Sequence, residues 1–222
     1  MRKDVLVLLI IAALIVAAAF VGSTYYKSSQ EDNRKPSPAA NSALVRDDSP
    51  TLGPGDAAVT LVEFVDPECE SCAAFNPVIK KLVKEFDGQL RLVVRYMPLH
   101  SNSSAAANFL EAAGEQDKYW QAQEMLFQKQ PEWGEVHGAP PSAQKADIKA
   151  LFEKYAMDLG LDLAPVKSAI ESNKFGAKMD RDRRDGQSLG VRQTPTLFVN
   201  GRRLARLSEN DLRTMIQEEL KN

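Results

Sequence analysis

The stretch "AAVTLVEFVDPECESCAAFNPVIKKLVKEF", residues 57–86, decides the fold. Its first ten residues, Ala57–Asp66, are an apolar, β-branched run of the kind that forms a buried strand. Pro67 ends that strand. Beyond Cys69 the period changes: Phe75, Val78, Ile79, Leu82, Val83 and Phe86 recur at helical spacing, with Pro77 inside as an expected kink. Gly88 closes the helix, and "QLRLVVRYMPL" reads as a second buried strand. Strand, helix, strand makes a βαβ unit. The only two cysteines of the chain, Cys69 and Cys72, lie where the first strand hands over to the helix.

Outward from that unit, residues 103–190 read as almost entirely helical, broken by Pro131, Pro140 and Pro141. "TPTLFVNGRRLARL" (194–207) then gives two short strands around Asn200-Gly201, a strong hairpin dipeptide. A last helix follows over Ser208–Leu220, with Ser208 as its cap and Asp211 at the capping-box position. This order predicts an α/β fold: a central mixed sheet flanked by helices on both faces, with an inserted helical domain at about 103–190.

Towards the N-terminus, Arg2 and Lys3 precede an unbroken apolar run from Val5 to Val21. As a helix it spans roughly 25 Å, enough for a thin bilayer core. Residues 1–22 are expected to be a membrane anchor or a cleaved signal peptide, and either exports the rest of the chain. Residues 23–51, rich in Ser, Pro and Asn, read as a flexible polar linker, leaving the folded domain at 52–222. The net charge of −2 and the lack of a long basic run point away from nucleic acid.

Three readings compete for Cys69 and Cys72. Zinc needs four ligands, and His100 and His137, the only histidines, stand at spacings that match no common zinc pattern. An inert bridge across two residues would stabilise little, because so short a loop has little closure entropy. Redox catalysis is favoured. Cys69 at a helix N-terminus meets unpaired N–H groups that favour a thiolate, and Cys72, one turn on, is placed to resolve a mixed disulfide. No metal or cofactor is expected.

Cys-x-x-Cys at a βα junction, a helical insert and a distant "TPT" together resemble the thioredoxin superfamily. "EAAGEQDKYWQAQEMLFQKQPEW" (111–133) and "GVRQTPTLFVNGRRL" (190–204) resemble its DsbA-like branch. The likeness covers about Leu52 to Asn222. It implies an exported protein thiol-disulfide oxidoreductase with Cys69–Cys72 as a redox-active disulfide. By the same resemblance, Pro195 is the cis proline facing the pair, Thr194 before it offers backbone to an extended substrate peptide, and Glu63 is the buried acid that takes and returns the proton of Cys72. The implied partners are protein thiols or disulfides, a membrane redox partner that recycles the pair, and the membrane itself through the N-terminal segment. Disulfide formation is the first expectation. A reductase or isomerase, or a non-catalytic peptide-binding chaperone module, are the alternatives.

Other residues receive plainer readings. His100 is expected to be a loop residue, Tyr119, Trp120 and Phe127 core residues, and "DRDRRD" (180–185) a solvated helix face. The acids around Cys69 pose their own question. A carboxylate about 6 Å from the sulfur would oppose the thiolate by roughly 0.7–2.8 kcal/mol, against about 0.3–1 kcal/mol from the helix dipole. On that arithmetic Glu68 and Glu70 should make the pair less oxidising than the strongest members of the branch.

Overall fold

Two parallel strands form the centre of the sheet, β2 (Val59–Val65) and β3 (Leu90–Tyr96), paired from Val59↔Leu90 to Val65↔Tyr96. Both are buried almost throughout, as their continuous apolar character requires of strands covered on two faces. The computed structural model describes residues 42–134 and 147–221, with Ala17 alone outside them. Its contacts divide the chain into two units, 1–37 and 38–222, and the fold below belongs to the second. Apart from Ala17, the apolar run 5–21 lies outside the described residues, as do His137, Pro140 and Pro141. Among the described residues, no helix is long and apolar enough to cross a membrane.

The sheet has five strands in the order β1-β3-β2-β4-β5, where β1 is Thr51–Leu52, β4 Thr196–Val199 and β5 Arg202–Arg203. All pairings other than β2 with β3 are antiparallel. Asn200 and Gly201, at φ 45° and 82°, make the β4–β5 turn, the backbone that an Asn-Gly hairpin demands. The expected central mixed sheet with flanking helices is thus present.

Alternation along the strands assigns the two faces. Leu61, Val65, Leu92 and Val94 pack with helix α1 (Glu70–Glu85) and with α8 (Glu209–Glu219), which Ser208 caps by accepting from the Asp211 N–H. Helices α2 (Ser103–Gly114), α3 (Tyr119–Gln128), α4 (Gln130–Trp133), α5 (Ile148–Asp158) and α6 (Leu163–Ser172) extend the same core. There Phe152 meets the rings of Phe109 and Trp133 at 5.2 and 5.4 Å. Tyr119 and Phe127 are buried as expected, whereas Trp120 only borders the core. Val62, Phe64, Val93 and Phe198 face the other way, against Leu44 and Val191.

Two expectations need correction on this second face. Helix α7 (Gly176–Ser188) presents only part of "DRDRRD" to solvent: Asp180, Arg183 and Arg184 are exposed, whereas Asp182 is buried. Its buried row is Met179, Asp182 and Gly186, three and four residues apart. A β-carbon on Gly186 would stand 2.9 Å from the Phe64 ring, so glycine is what admits the helix this close. Arg95, fully buried beside Phe64, donates through Nη2 to Asp182 at 2.8 Å and Asp185 at 2.6 Å. The linker expected over 23–51 also ends too late. Leu44 is buried, Arg95 Nη1 donates to the Ala43 carbonyl at 2.5 Å, and Arg46 pairs with Asp185 through two bonds of 2.9 Å. Residues 51–52 then form β1, a strand too short to show in the sequence. The folded unit therefore reaches back to Ala43.

Candidate active site

The sheet register gathers the site. Val65 pairs with Tyr96 and Phe64 with Thr196, so three segments leave the sheet at one end: the turn 66–69, the loop 97–102 and the residues just before Thr196. Cys69 is the N-cap residue of α1, with its carbonyl accepting from the Cys72 and Ala73 N–H groups at 3.0 and 3.1 Å. Its own N–H donates to the Asp66 carbonyl at 3.1 Å, which closes the turn after Pro67. Cys69 keeps 9% of its surface exposed and Cys72 none, and both are free thiols. The Thr194–Pro195 peptide bond is cis, and Cys69 Sγ lies 3.3 Å from the Thr194 carbonyl oxygen, to which the thiol can donate.

The two sulfurs are driven apart in acidity. The Cys69 thiol is lowered to about 5, first because Cys72 donates a hydrogen bond to its sulfur. Burial opposes this, and the Thr194 side chain and the N–H groups of Cys72 and Ser71 add to it. Cys72 is raised well above its ordinary value by burial, by the bond it gives to Cys69, and by the charges of Glu63 and Cys69. One thiol is thus poised as a thiolate and its neighbour held protonated. Glu63, in the middle of β2, is 2% exposed and its Oε1 has no hydrogen-bond partner. Burial, assisted by the Cys69 charge, raises its carboxyl to about 8. The structure therefore brings Glu63, Cys69, Cys72, Thr194 and Pro195 into one locale.

Two of the acids beside Cys69 are held by hydrogen bonds to the fold. Asp66, fully buried, accepts through Oδ1 from the Glu68 N–H at 2.9 Å and through Oδ2 from the Leu99 N–H at 2.7 Å. Glu68, 3% exposed, accepts from the backbone and side-chain N–H groups of Asn102 at 2.6 and 2.9 Å. That places its carboxylate at the N-terminus of α2, where a helix favours negative charge. Glu70 is on the surface. Where the charge arithmetic had the Cys69 pKa balanced or raised, it is lowered, first by the hydrogen bond from Cys72. His100, read from sequence as a plain loop residue, stands 2.7 Å from Asp66 through Nδ1. The parallel register, Val65 beside Tyr96, was the signal that could have placed residues 97–102 next to the cysteine turn. No group of three or more potential metal ligands lies together among the described residues.

A sequence profile of the family described as thioredoxin matches residues 46–218. Disulfide bond formation protein D of Bacillus subtilis is 27% identical over 179 residues, which are 78% of this chain and 77% of that protein. The crystal structure of oxidised BdbD from Bacillus subtilis superposes with a TM-score of 0.67 at 26% identity, over 78% of this chain and 94% of that one. Wolbachia pipientis alpha-DsbA1, at 18% identity and a TM-score of 0.69, shares the fold over 82% of this chain and 98% of its own. The Na(+)/H(+) antiporter NhaA of Herminiimonas arsenicoxydans is 34% identical over 152 residues, 68% of this chain but 22% of the antiporter. The match thus spans about a fifth of the curated relatives that head the comparison. By profile, by relatives and by fold, the chain belongs to the thioredoxin family, with a fold shared with BdbD and with the alpha-DsbA1 structure.

Proposed function

We propose that this chain is an exported protein thiol-disulfide oxidoreductase that forms disulfides in substrate proteins through Cys69 and Cys72. The observation that carries the reading is the split between the thiols: Cys69 lowered to about 5, Cys72 raised well above its ordinary value. A stable thiolate in the reduced form makes the disulfide form a stronger oxidant. The likeness to Disulfide bond formation protein D supports the same direction.

The exchange runs in two steps. A substrate thiolate attacks Cys69 in the Cys69–Cys72 disulfide, so a substrate–Cys69 bond forms and the Cys72 sulfur leaves with the electron pair. Glu63, protonated at neutral pH with its carboxyl near 8, supplies the proton that Cys72 takes up. A second substrate thiolate then attacks the substrate sulfur of the mixed disulfide, and Cys69 leaves as its stabilised thiolate. The substrate has lost two electrons to the pair, and a membrane redox partner must remove them to restore the disulfide. Thr194 and Pro195 hold the substrate as an extended peptide, as backbone beside a reactive sulfur can do. The segment 1–22 places this domain, built of residues from about 43 onward, on the extracytoplasmic side.

Equilibration of the pair with glutathione, trapped by a thiol-alkylating reagent and read by mass, tests the reading. A potential near roughly −120 mV is expected for a disulfide donor. A value near roughly −230 to −270 mV would make the chain a reductase or isomerase. Full binding of a substrate peptide by Cys69→Ser with no exchange by the wild type would leave a peptide-binding module.

A further inference from the structure

The turn 66–69 and the loop 97–102 leave neighbouring strands side by side, and two buried carboxylates fasten one to the other. Glu68 holds Asn102, while Asp66 holds Leu99 and His100, each at 2.7 Å through its Oδ2. His100 is further fixed by its own N–H, which donates to Ser103 Oγ at 3.1 Å. The side chain that positions its ring thus belongs to the residue whose carbonyl accepts from the Cys69 N–H. The imidazole keeps 22% of its side-chain surface exposed, whereas Asp66 keeps none, so the ring can exchange protons with water.

Burial lowers the His100 pKa, but Asp66, Cys69 and Glu68, the charged groups acting on it, raise it above its ordinary value. Cys69 is one of those groups, and such an influence is reciprocal: the imidazolium favours the thiolate in turn, as a smaller contribution than the hydrogen bonds from Cys72, Thr194 and Ser71 that lead the lowering of Cys69. Glu70, between the cysteines, is on the surface.

We propose that His100 is a positioning residue for the redox pair: held by Asp66, it supplies from the β3–α2 loop the positive charge that stabilises the Cys69 thiolate. The inference rests on the reading of Cys69 as the reacting thiol. Reactivity is thereby tuned from a second loop as well as from the residues between the cysteines. The thiolate is more strongly supported below the His100 midpoint than above it.

The test reads the coupling from both ends, without a substrate. With His137, the only other histidine, replaced by Gln, the His100 ring is titrated by NMR in the reduced protein and in its Cys69→Ser variant. A midpoint higher by about half a unit or more in the thiol-bearing protein is expected for charges several ångströms apart. Equal midpoints overturn the proposal. The pH profile of Cys69 alkylation should move upward by a like amount in His100→Gln and return toward the wild type in His100→Lys. A purely structural histidine would not be rescued by lysine, and an unmoved profile in His100→Gln overturns the proposal. Failure of the wild-type pair to exchange with glutathione would instead overturn the functional reading, since the His100 titration involves no exchange.

Discussion

Replacing Glu63 with Gln measures the cost of keeping a carboxyl group buried in β2. The folded protein holds this carboxyl at about 8, against an ordinary value of 4.5. Below pH 4.5 both folded and unfolded chains keep the proton, and Glu63 contributes nothing to the pH dependence. Between 4.5 and 8 the unfolded chain releases the proton while the folded one retains it, so stability falls as pH rises. Integrated to pH 7, the loss is about 3 kcal/mol, a sizeable fraction of the net stability of a domain this size. The assay is urea unfolding of reduced wild type and Glu63→Gln at pH 5 and pH 7. Differences in packing and amide burial are the same at both pH values and drop out of the comparison. The variant should gain on the wild type by about 2.5 kcal/mol between the two pH values. Parallel behaviour of the two proteins would refute the claim that burial, and not a hidden partner, governs this carboxyl. If Glu63 also serves Cys72, the variant should resolve mixed disulfides more slowly while being the more stable protein.

Cys72→Ala removes the bond that does most to lower the Cys69 pKa, so the alkylation midpoint of Cys69 should climb from about 5 toward its ordinary value; a midpoint that stays near 5 would assign the shift to the helix N-terminus instead. Glu70→Gln should move that midpoint less than Cys72→Ala does, as read in the same alkylation series. Asp182→Ala leaves Arg95 buried with one partner fewer and should cost about 3 kcal/mol in urea unfolding. Gly186→Ala forces a methyl against the Phe64 ring and should cost about 1–3 kcal/mol by the same measurement.

The βαβ unit, the Asn-Gly hairpin and the Ser208 cap were legible in sequence because each rests on local chemistry: periodicity, a turn dipeptide, a side chain that accepts from its own helix. The cysteines announced themselves by spacing at a strand–helix junction. Glu63, Thr194 and Pro195 came from family resemblance and lie together in the structure. What the sequence hid was charge whose partner is distant. Asp182 and Asp185 look like a solvated face until Arg95, on β3, is seen beneath them. Glu68 looks like a charge opposing the thiolate until Asn102 is seen to hold it. The pairing over 34 positions follows from the register of β2 with β3, and the one over 87 from the docking of α7 on the sheet; both are properties of the assembled fold.

The Thr194 contact has a consequence for the life of the chain before it is complete. Cys69 meets a partner that lies 125 positions further along, just before β4, and so is made that much later in synthesis. A chain lacking that strand has an open sheet beside β2 and a sulfur without its full set of hydrogen bonds. Cys69 then lacks one of the contributions that lower its pKa. The acidity of Cys69 is in that respect complete only once residue 194 has joined the fold.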